Sequence, residues 1–331
     1  MAVITYRQAL HDTLRAELLR DEDVFLMGEE IGLFEGSYKI TAGLLAEFGP
    51  RRIRDTPICE LSFVGAGFGA AMLGLRPVVE IMTINFSILA MDQILNHGAK
   101  IHAMFGGQTA VPMVLRTPGG AGQQLAATHS QNLEVWFAHI PGLKVVAPAT
   151  PADAKGLLTT SIRDNDPVIF VENLALYNTK GDVPDGEHTV EIGRAAVIRE
   201  GTDLTVVAYS RMTVVALDVA RRLDEDEHIS IEVVDLRSLR PLDRVTLCGS
   251  VRKTGRAVVL EEGWLSYGVG AELAATIQEG AFDYLDAPVR RVAAAEVPLP
   301  YSKPMELAAL PSAAPLIDVI HQTLDATNFR G

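Results

Sequence analysis

Glu60 is the side chain in this sequence that stands in the best position for acid–base chemistry. It follows a polar turn at residues 55–59 and opens a glycine-rich apolar segment that continues to residue 75. A carboxylate at the mouth of an apolar segment is costly to bury without a partner, and the first turn of a helix favours its charged form. We interpret Glu60 as an acid that accepts one strong hydrogen bond in a dry slot; a capping glutamate is the alternative.

His129 and Phe86 stand where they could reach a bound molecule. His129 closely follows the glycine-rich loop of residues 117–122, and histidine exchanges protons near neutral pH. A loop histidine bonded to the backbone is the alternative. Phe86 lies at a strand-to-helix junction, where ligands bind in parallel sheets, and its ring can stack on a flat group. An ordinary core phenylalanine is the plainer explanation.

Common motifs for nucleotides, acyl transfer and metals are missing from the chain. Residues 65–69 read GAGFG, but a dinucleotide fingerprint requires G-x-G-x-x-G after an apolar strand. We predict instead that these small residues allow close helix packing. The sequence holds no phosphate loop and no nucleophile elbow. The histidines His97, His102 and His139 show no metal-ligand spacing.

The elements that must position these residues alternate between strands and helices. Such alternation predicts parallel sheets covered on both faces. We therefore predict an α/β protein with two doubly wound domains, residues 1–186 and 187–331, divided within a glycine- and proline-containing segment. The first domain has predicted strands at 24–28, 77–82, 111–116, 143–147 and 168–172, and helices at 5–20, 60–75, 83–104 and 151–163. The second has strands at 204–208, 230–235, 257–261 and 289–292, and helices at 213–223, 243–253, 269–279 and 314–326.

Composition limits the class of protein. The 331 residues are 48% hydrophobic and 21% charged, as in an ordinary globular protein. The net charge of −13 argues against nucleic acid and against an anionic membrane surface. Two distant cysteines indicate a reducing compartment without structural zinc. The N-terminus has no signal pattern, and the longest apolar run is shorter than the about 20 residues that span a bilayer. We expect a cytoplasmic protein.

Several ordered motifs then resemble one family over nearly the whole chain. They are DTPICE at 55–60, EIMTINFS at 80–87, THSQ at 128–131, GLKVVAP at 142–148, IRDNDPVIF at 162–170, VVDLRSLRPLD at 233–243 and KTGRAVVLEEGW at 253–264. The chain resembles the beta chain of the thiamine-diphosphate-dependent 2-oxo acid dehydrogenases of the pyruvate dehydrogenase type. The resemblance implies a pyrimidine-binding domain followed by a transketolase C-terminal-like domain.

The resemblance also implies roles for particular side chains. Glu60 matches the carboxylate that binds the pyrimidine nitrogen opposite the amino group, which favours the imino tautomer that activates the thiazolium. Phe86 matches the aromatic ring stacked on the pyrimidine, while Ile58 and Met82 match apolar walls of the slot. His129 matches the histidine that faces the substrate and its adduct.

A potassium ion is implied by some members of the family. The matching residues here are Met113, Ser161, Ile162, Asp164 and Asp166, and oxygen-rich loops suit such a hard cation. Asp166 stands where an asparagine is common in the family. This departure puts the potassium site in doubt.

The family pattern is incomplete in one respect. Its diphosphate and Mg²⁺ are held on a GDG motif, which this chain lacks. The resemblance therefore implies an alpha subunit that holds Mg²⁺ and the diphosphate, an alpha2–beta2 heterotetramer, and a lipoyl-bearing acyltransferase core as acceptor. Pyruvate is the expected substrate, and acetoin dehydrogenase is the alternative. A non-catalytic scaffold of the same fold and a self-contained nucleotide-binding oxidoreductase are the readings from other classes.

Overall fold

The chain is described as a computed structural model over residues 1–326, and it divides into two compact units. Unit 1 comprises Met1–Gly119 and Leu133–Ile192, and unit 2 comprises Gly120–Asn132 and the chain from Gly193 onward. The short segment of residues 120–132, which carries His129, is thus counted with the later unit. The sequence contains no signal for this excursion, and the proposed domain boundary at residues 186 and 187 stays a prediction.

Unit 1 is built on a parallel sheet. Its strands lie in the order β6-β7-β5-β4-β2-β3. Their carboxyl ends therefore meet at one edge, where ligands bind in open α/β sheets. A separate antiparallel ribbon pairs β1 with β8. The bounds are β1 Ala2–Thr5, β2 Val24–Gly28, β3 Ile53–Asp55, β4 Arg76–Glu80, β5 Val114–Gly119, β6 Lys144–Val146, β7 Val168–Asn173 and β8 Lys180–Val183.

Helices cover this sheet for reasons that are visible in the sequence. Two of them, α1 and α6, bury leucines such as Leu10, Leu14 and Leu157 in one apolar cluster with the strands. The N-cap Thr150 accepts a hydrogen bond from the Asp153 N–H at 3.0 Å, which fixes the start of α6. The bounds are α1 Tyr6–Arg20, α2 Leu44–Phe48, α3 Glu60–Met72, α4 Ile101–Met104, α5 Glu134–Ala138 and α6 Pro151–Arg163.

The small residues of α3 serve close packing, as predicted. A Cβ added to Gly67 would lie 2.7 Å from a methyl of Val79 on β4, and one added to Gly65 would lie 2.8 Å from Gln93 Oε1. Both distances are well below ordinary contact. These glycines therefore bring the helix close to the sheet and to the segment that follows β4.

The predicted helix at 83–104 is helical in the structure, but it is not one continuous α-helix. The chain there forms a 3₁₀ segment at Ile84–Ala90, a π-helical turn at Gln93–Gly98 and only a short α4. Ala99 N donates to Ile94 O at 3.0 Å, one residue beyond the α-helical partner. A Cβ at Gly98 would lie 2.3 Å from the Phe68 ring. The apolar periodicity predicts a regular helix, but close packing of Gly98 against Phe68 of α3 accompanies the wider π turn. Such π turns are often found near functional sites.

Unit 2 is a second α/β layer structure with one antiparallel edge. Its sheet has the order β14-β13-β10-β11-β9, and β9 alone runs antiparallel to its neighbour. The strands are β9 Ala196–Arg199, β10 Leu204–Ala208, β11 Ile231–Asp235, β12 Ser238–Arg240, β13 Ala257–Trp264 and β14 Arg290–Ala294; the helices are α7 Arg211–Glu227, α8 Arg244–Thr254, α9 Val269–Ala281, α10 Lys303–Ala309 and α11 Ala313–Asp325.

Both cysteines are free, Cys59 exposed and Cys248 buried. Among the helices of residues 1–326, none has the length and apolar character needed to cross a membrane.

Candidate active site

Glu60 is the first residue of α3, directly after the N-cap Cys59. The residue is 4% exposed, and no residue in the described part of the chain donates a hydrogen bond to its carboxylate or forms an ion pair with it. Its oxygens are not among the fully enclosed polar atoms that lack a partner, so they remain accessible at the edge of the sheet. The site therefore fits a ligand that brings a ring N–H donor, which the pyrimidine of thiamine diphosphate offers in its protonated and imino forms.

The predicted apolar walls lie at the same sheet edge as Glu60. The loop after β3 carries Ile58, which is 82% exposed, and the loop after β4 carries Met82, which is half-buried. Phe86, also half-buried, lies in the 3₁₀ segment, and its N–H donates to Thr83 O at 3.0 Å. The carboxyl ends of β3 and β4, which both pair with β2, thus bring these residues to one edge of the sheet. Their contact with a cofactor stays a prediction.

Glu29 is an acid of this edge that the sequence analysis did not single out. It follows directly after β2, is 4% exposed, and its Oε1 is buried without a partner among residues 1–326. Burial, and then the charges of Glu60 and Glu80, raise the pKa of Glu29 to about 7. An acid directly after a buried strand, at the same edge as Glu60, is the signal that would have found it.

Glu29→Gln should remove a pH dependence of stability. The unfolded chain releases the Glu29 proton near pH 4.5, whereas the folded chain keeps it to about pH 7. The folded state binds more protons in this window, so its stability falls as the pH rises through it. Relative to wild type, the neutral glutamine variant should gain about 1–3 kcal/mol from pH 4.5 to pH 7. Denaturant unfolding at several pH values tests this, and parallel stability curves would contradict it.

A buried network of ion pairs around Arg116 includes Glu80, one of the acids that raise the pKa of Glu29. Arg116, 1% exposed, donates from Nη1 to Glu80 and from Nε and Nη2 to Glu172, the Nη2 distance being 3.2 Å. The Tyr177 hydroxyl also donates to Glu172. Burial opposes the charge of Arg116, but Glu172 and Glu80 raise its pKa well above the usual value. The network fixes the carboxylate of Glu80 in the row of acids at this edge.

His129 lies in unit 2 and is exposed. Its main-chain N–H donates to Ala126 O at 3.2 Å, and its ring nitrogen Nδ1 lies 2.9 Å from Thr128 Oγ1. The following Ser130 is 1% exposed, and its hydroxyl finds no partner within residues 1–326. The Thr128 hydroxyl beside Nδ1 helps to set the orientation of the ring. Its role towards a substrate stays a prediction.

The predicted potassium ligands form one neighbourhood in unit 1. Met113 O accepts from Val168 N at 2.9 Å, and Ser161 O accepts from Asp164 N at 3.3 Å. These carbonyls are thus already used once, and each keeps a second lone pair. A potassium ion at this loop remains a prediction.

Two cations of the chain itself already contact this loop. Arg76 Nη1 donates to Ile162 O at 3.1 Å and to Asp164 O at 3.0 Å. Lys144 Nζ lies 2.7 Å from an Asp164 carboxylate oxygen and 2.9 Å from Asp166 Oδ2. Lys144 thus balances one of the two carboxylate charges, and Arg76 already occupies the Ile162 and Asp164 carbonyls. A potassium ion would have to compete with these two side chains for the oxygens of the loop. Elsewhere among residues 1–326, no three His, Cys, Asp or Glu side chains are arranged to hold a metal.

Two family models match the sequence. Residues 2–180 match the pyrimidine binding domain of transketolase, and residues 193–316 match the transketolase C-terminal domain. Together these two matches cover most of the chain.

Curated relatives match over almost the full length. A protein of Rickettsia bellii (strain RML369-C), named pyruvate dehydrogenase E1 component subunit beta, is 50% identical over 317 residues, which cover 96% of this chain and 97% of the relative. A protein of the same name from Rhizobium meliloti (strain 1021) is 49% identical over 97% of this chain and 70% of its own length. A mitochondrial beta-1 subunit of Oryza sativa subsp. japonica is 49% identical over 95% of this chain and 85% of its own.

A solved structure supports the fold. The split gene transketolase, in an inactive beta4 tetramer, matches with a TM-score of 0.80 and covers 98% of this chain and all of its own. At 23% identity, this likeness concerns the two-domain α/β fold alone.

Proposed function

The chain belongs to the family of pyruvate dehydrogenase E1 component beta subunits, and on this basis we propose that it forms one half of a thiamine-diphosphate-dependent active site. Together with an alpha subunit it decarboxylates pyruvate and transfers the acyl group reductively to a lipoyl group on an acyltransferase core. The enzyme class is an oxidoreductase, and this chain is active only with its partner.

One observation carries the proposal: the largely buried Glu60, whose carboxylate has no donor in the described part of the chain, stands at the sheet edge where ligands bind in parallel α/β folds. When bound, thiamine diphosphate supplies the carbon nucleophile for attack on the keto group of pyruvate. Glu60 accepts a hydrogen bond from the pyrimidine nitrogen opposite the amino group, and so favours the imino form that takes up the proton. Ile58, Met82 and Phe86 exclude water around that bond, and His129 exchanges protons with the substrate.

The outer face of α3 supports a subunit partner. Leu61 on α3 and Leu73 directly after it are 46% and 88% exposed, and a Cβ at Gly69 would meet nothing within 4 Å. Packing within residues 1–326 therefore gives no reason for the small size of Gly69, whereas its small size lets a helix of another subunit approach closely. Exposed apolar side chains of this density mark interaction surfaces. We assign this face to a subunit contact in an alpha2–beta2 heterotetramer.

The finer assignments belong to the same proposal. Mg²⁺ and the diphosphate belong to the alpha subunit, because this chain has no GDG motif. A potassium ion, if it binds, uses the carbonyls near Ile162. The domains are residues 1–186 and 187–331. We propose the cytoplasm as the location, as for the bacterial type of enzyme, although plant relatives carry mitochondrial names.

Reconstitution tests the proposed function. This chain, co-expressed with the alpha chain of the same organism and supplied with thiamine diphosphate and Mg²⁺, should oxidise pyruvate with an artificial electron acceptor. Each chain alone should be inactive, because each holds half of the site. Turnover by this chain alone would contradict the proposal. If the complex preferred acetoin to pyruvate, the proposed substrate would be wrong, but the proposal that this chain forms half of the active site would stand.

A further inference from the structure

The segment of residues 120–132 is held in an unfavourable backbone conformation. Gln124 and Ala126 have φ of 59° and 66°, in the left-handed region that side chains other than glycine rarely adopt. Gly120 and Gly122 share this region, with φ of 86° and 91°. Strain of this kind persists only where the surroundings over-determine the path of the chain, and it collects at functional sites. The segment must therefore be held by specific contacts.

Glu306 of α10 supplies the first of these contacts. Glu306 is completely buried, and its carboxylate accepts the main-chain N–H groups of Gly122 and Gln124, two of the residues with positive φ. The Gly122 N–H donates to Oε1 at 3.0 Å, and the Gln124 N–H lies 3.0 Å from Oε2 and 3.2 Å from Oε1. Hydrogen bonds to a charged group are about twice as strong as neutral ones. They fix the direction of the backbone across Gly122 and Gln124.

Glu262 of β13 supplies the second contact. Its Oε1 accepts the Ala121 N–H at 2.8 Å, and its side chain is 4% exposed. Arg211 Nη1 lies 3.4 Å from both Glu262 Oε1 and Ala121 O, so it balances the carboxylate and contacts the same residue. The Asn132 side chain donates to Glu262 O at 3.2 Å. Both ends of the segment are thus tied to β13.

We propose that Glu306 and Glu262 act as positioning residues for His129. Three consecutive or near-consecutive main-chain N–H groups, at 121, 122 and 124, point at these two buried carboxylates, which we call the loop clamp. The clamp selects one backbone path for the strained residues 120–126, which shortly precede His129 and the buried Ser130 in the same segment. This inference rests on the proposed function, because it assigns the clamp to the residue that faces the substrate.

Glu306→Ala in the reconstituted complex tests the clamp. A displacement of about 1 Å of a reacting group lowers turnover by about 10²-fold, so we expect kcat to fall by about 10- to 100-fold with KM for pyruvate nearly unchanged. The limb of the pH–kcat profile that His129→Ala removes should shift or vanish. Limited proteolysis within residues 122–127 should accelerate. Glu306→Gln keeps an acceptor oxygen and should recover most of the turnover and of the protease resistance.

Asp243→Ala is the matched control. Asp243 is a buried acid of the same unit, and like Glu306 it accepts two main-chain N–H groups, from Thr246 at 3.0 Å and from Ala195 at 3.1 Å, both outside residues 120–132. Its loss should lower the stability of the complex and leave the pH profile and the cleavage rate of the segment unchanged.

The outcomes separate the clamp from the proposed function. Glu306→Ala with the wild-type pH profile and cleavage rate, in a complex that His129→Ala inactivates, would overturn the clamp alone. The same holds if the turnover of Glu306→Ala falls only in proportion to its folded fraction. An unaffected His129→Ala complex would instead overturn the catalytic role of the histidine.

Discussion

Glu60→Gln should abolish pyruvate turnover in the reconstituted complex while the complex still assembles. The glutamine has the same size but carries no charge and presents an amide NH₂ beside its oxygen, so it binds the ring nitrogen weakly and no longer favours the imino tautomer. General acid–base contributions of this kind amount to about 10²–10⁴-fold. We therefore expect kcat to fall by at least about 10²-fold. Steady-state assay and size-exclusion chromatography of the same preparation measure the two effects separately.

Glu47→Gln is the control for this change. Glu47 is a surface acid of unit 1 that pairs with Arg15, and the same chemical substitution there should leave turnover unaltered. If Glu60→Gln also left turnover unaltered, the carboxylate would have no catalytic role. The fold would then act in the complex as a non-catalytic scaffold.

Arg116→Met should cause the largest loss of stability in unit 1. It removes the guanidinium that, within residues 1–326, pairs with two carboxylates, Glu80 and Glu172, both of which stay buried. Removing one partner of a buried ion pair costs about 3–5 kcal/mol, because an uncompensated charge remains in the interior. The stability of the variant should recover partly at low pH, where those carboxylates take up protons. Urea unfolding of the wild type and variant at pH 5 and pH 8 measures both effects.

Arg15→Met provides the surface counterpart. Arg15 contacts Glu47 through two hydrogen bonds, at 2.8 and 2.6 Å, but both side chains are substantially exposed. Exposed pairs contribute little to stability because water and salt screen them, so this variant should unfold nearly as the wild type does. If Arg116→Met and Arg15→Met lost the same stability, burial would not explain the contribution of the Arg116 network.

The sequence predicted those elements whose local signals agree with their packing. The helix at 151–163 and the strand at 24–28 were placed with the bounds that the structure shows. A threonine N-cap and a first-turn proline fix the former, and a short apolar run ending in glycine fixes the latter. The start of α3 at Glu60 was also predicted. The segment at 83–104 is helical as predicted, but its helical type depends on packing against Phe68, and periodicity does not report that contact.

The candidate site was predictable only where one residue type stood out locally. Glu60 was found from its own neighbourhood, whereas Ile58 and Met82 followed from the family resemblance and stay predictions. Glu29 was overlooked because its meaning depends on the parallel pairing of β2 with β4. The clamp by Glu306 joins residues 182 to 184 positions apart in the chain, and no spacing rule connects such distant residues.

The most direct test of the half-site is a calorimetric titration of thiamine diphosphate with Mg²⁺ into this chain alone and into its complex with the alpha chain. We predict no measurable binding to the chain alone, since it supplies the pyrimidine side only, and saturable binding to the complex that Glu60→Gln weakens. Tight binding to the chain alone would contradict the account, because it would mean that this chain holds the diphosphate as well.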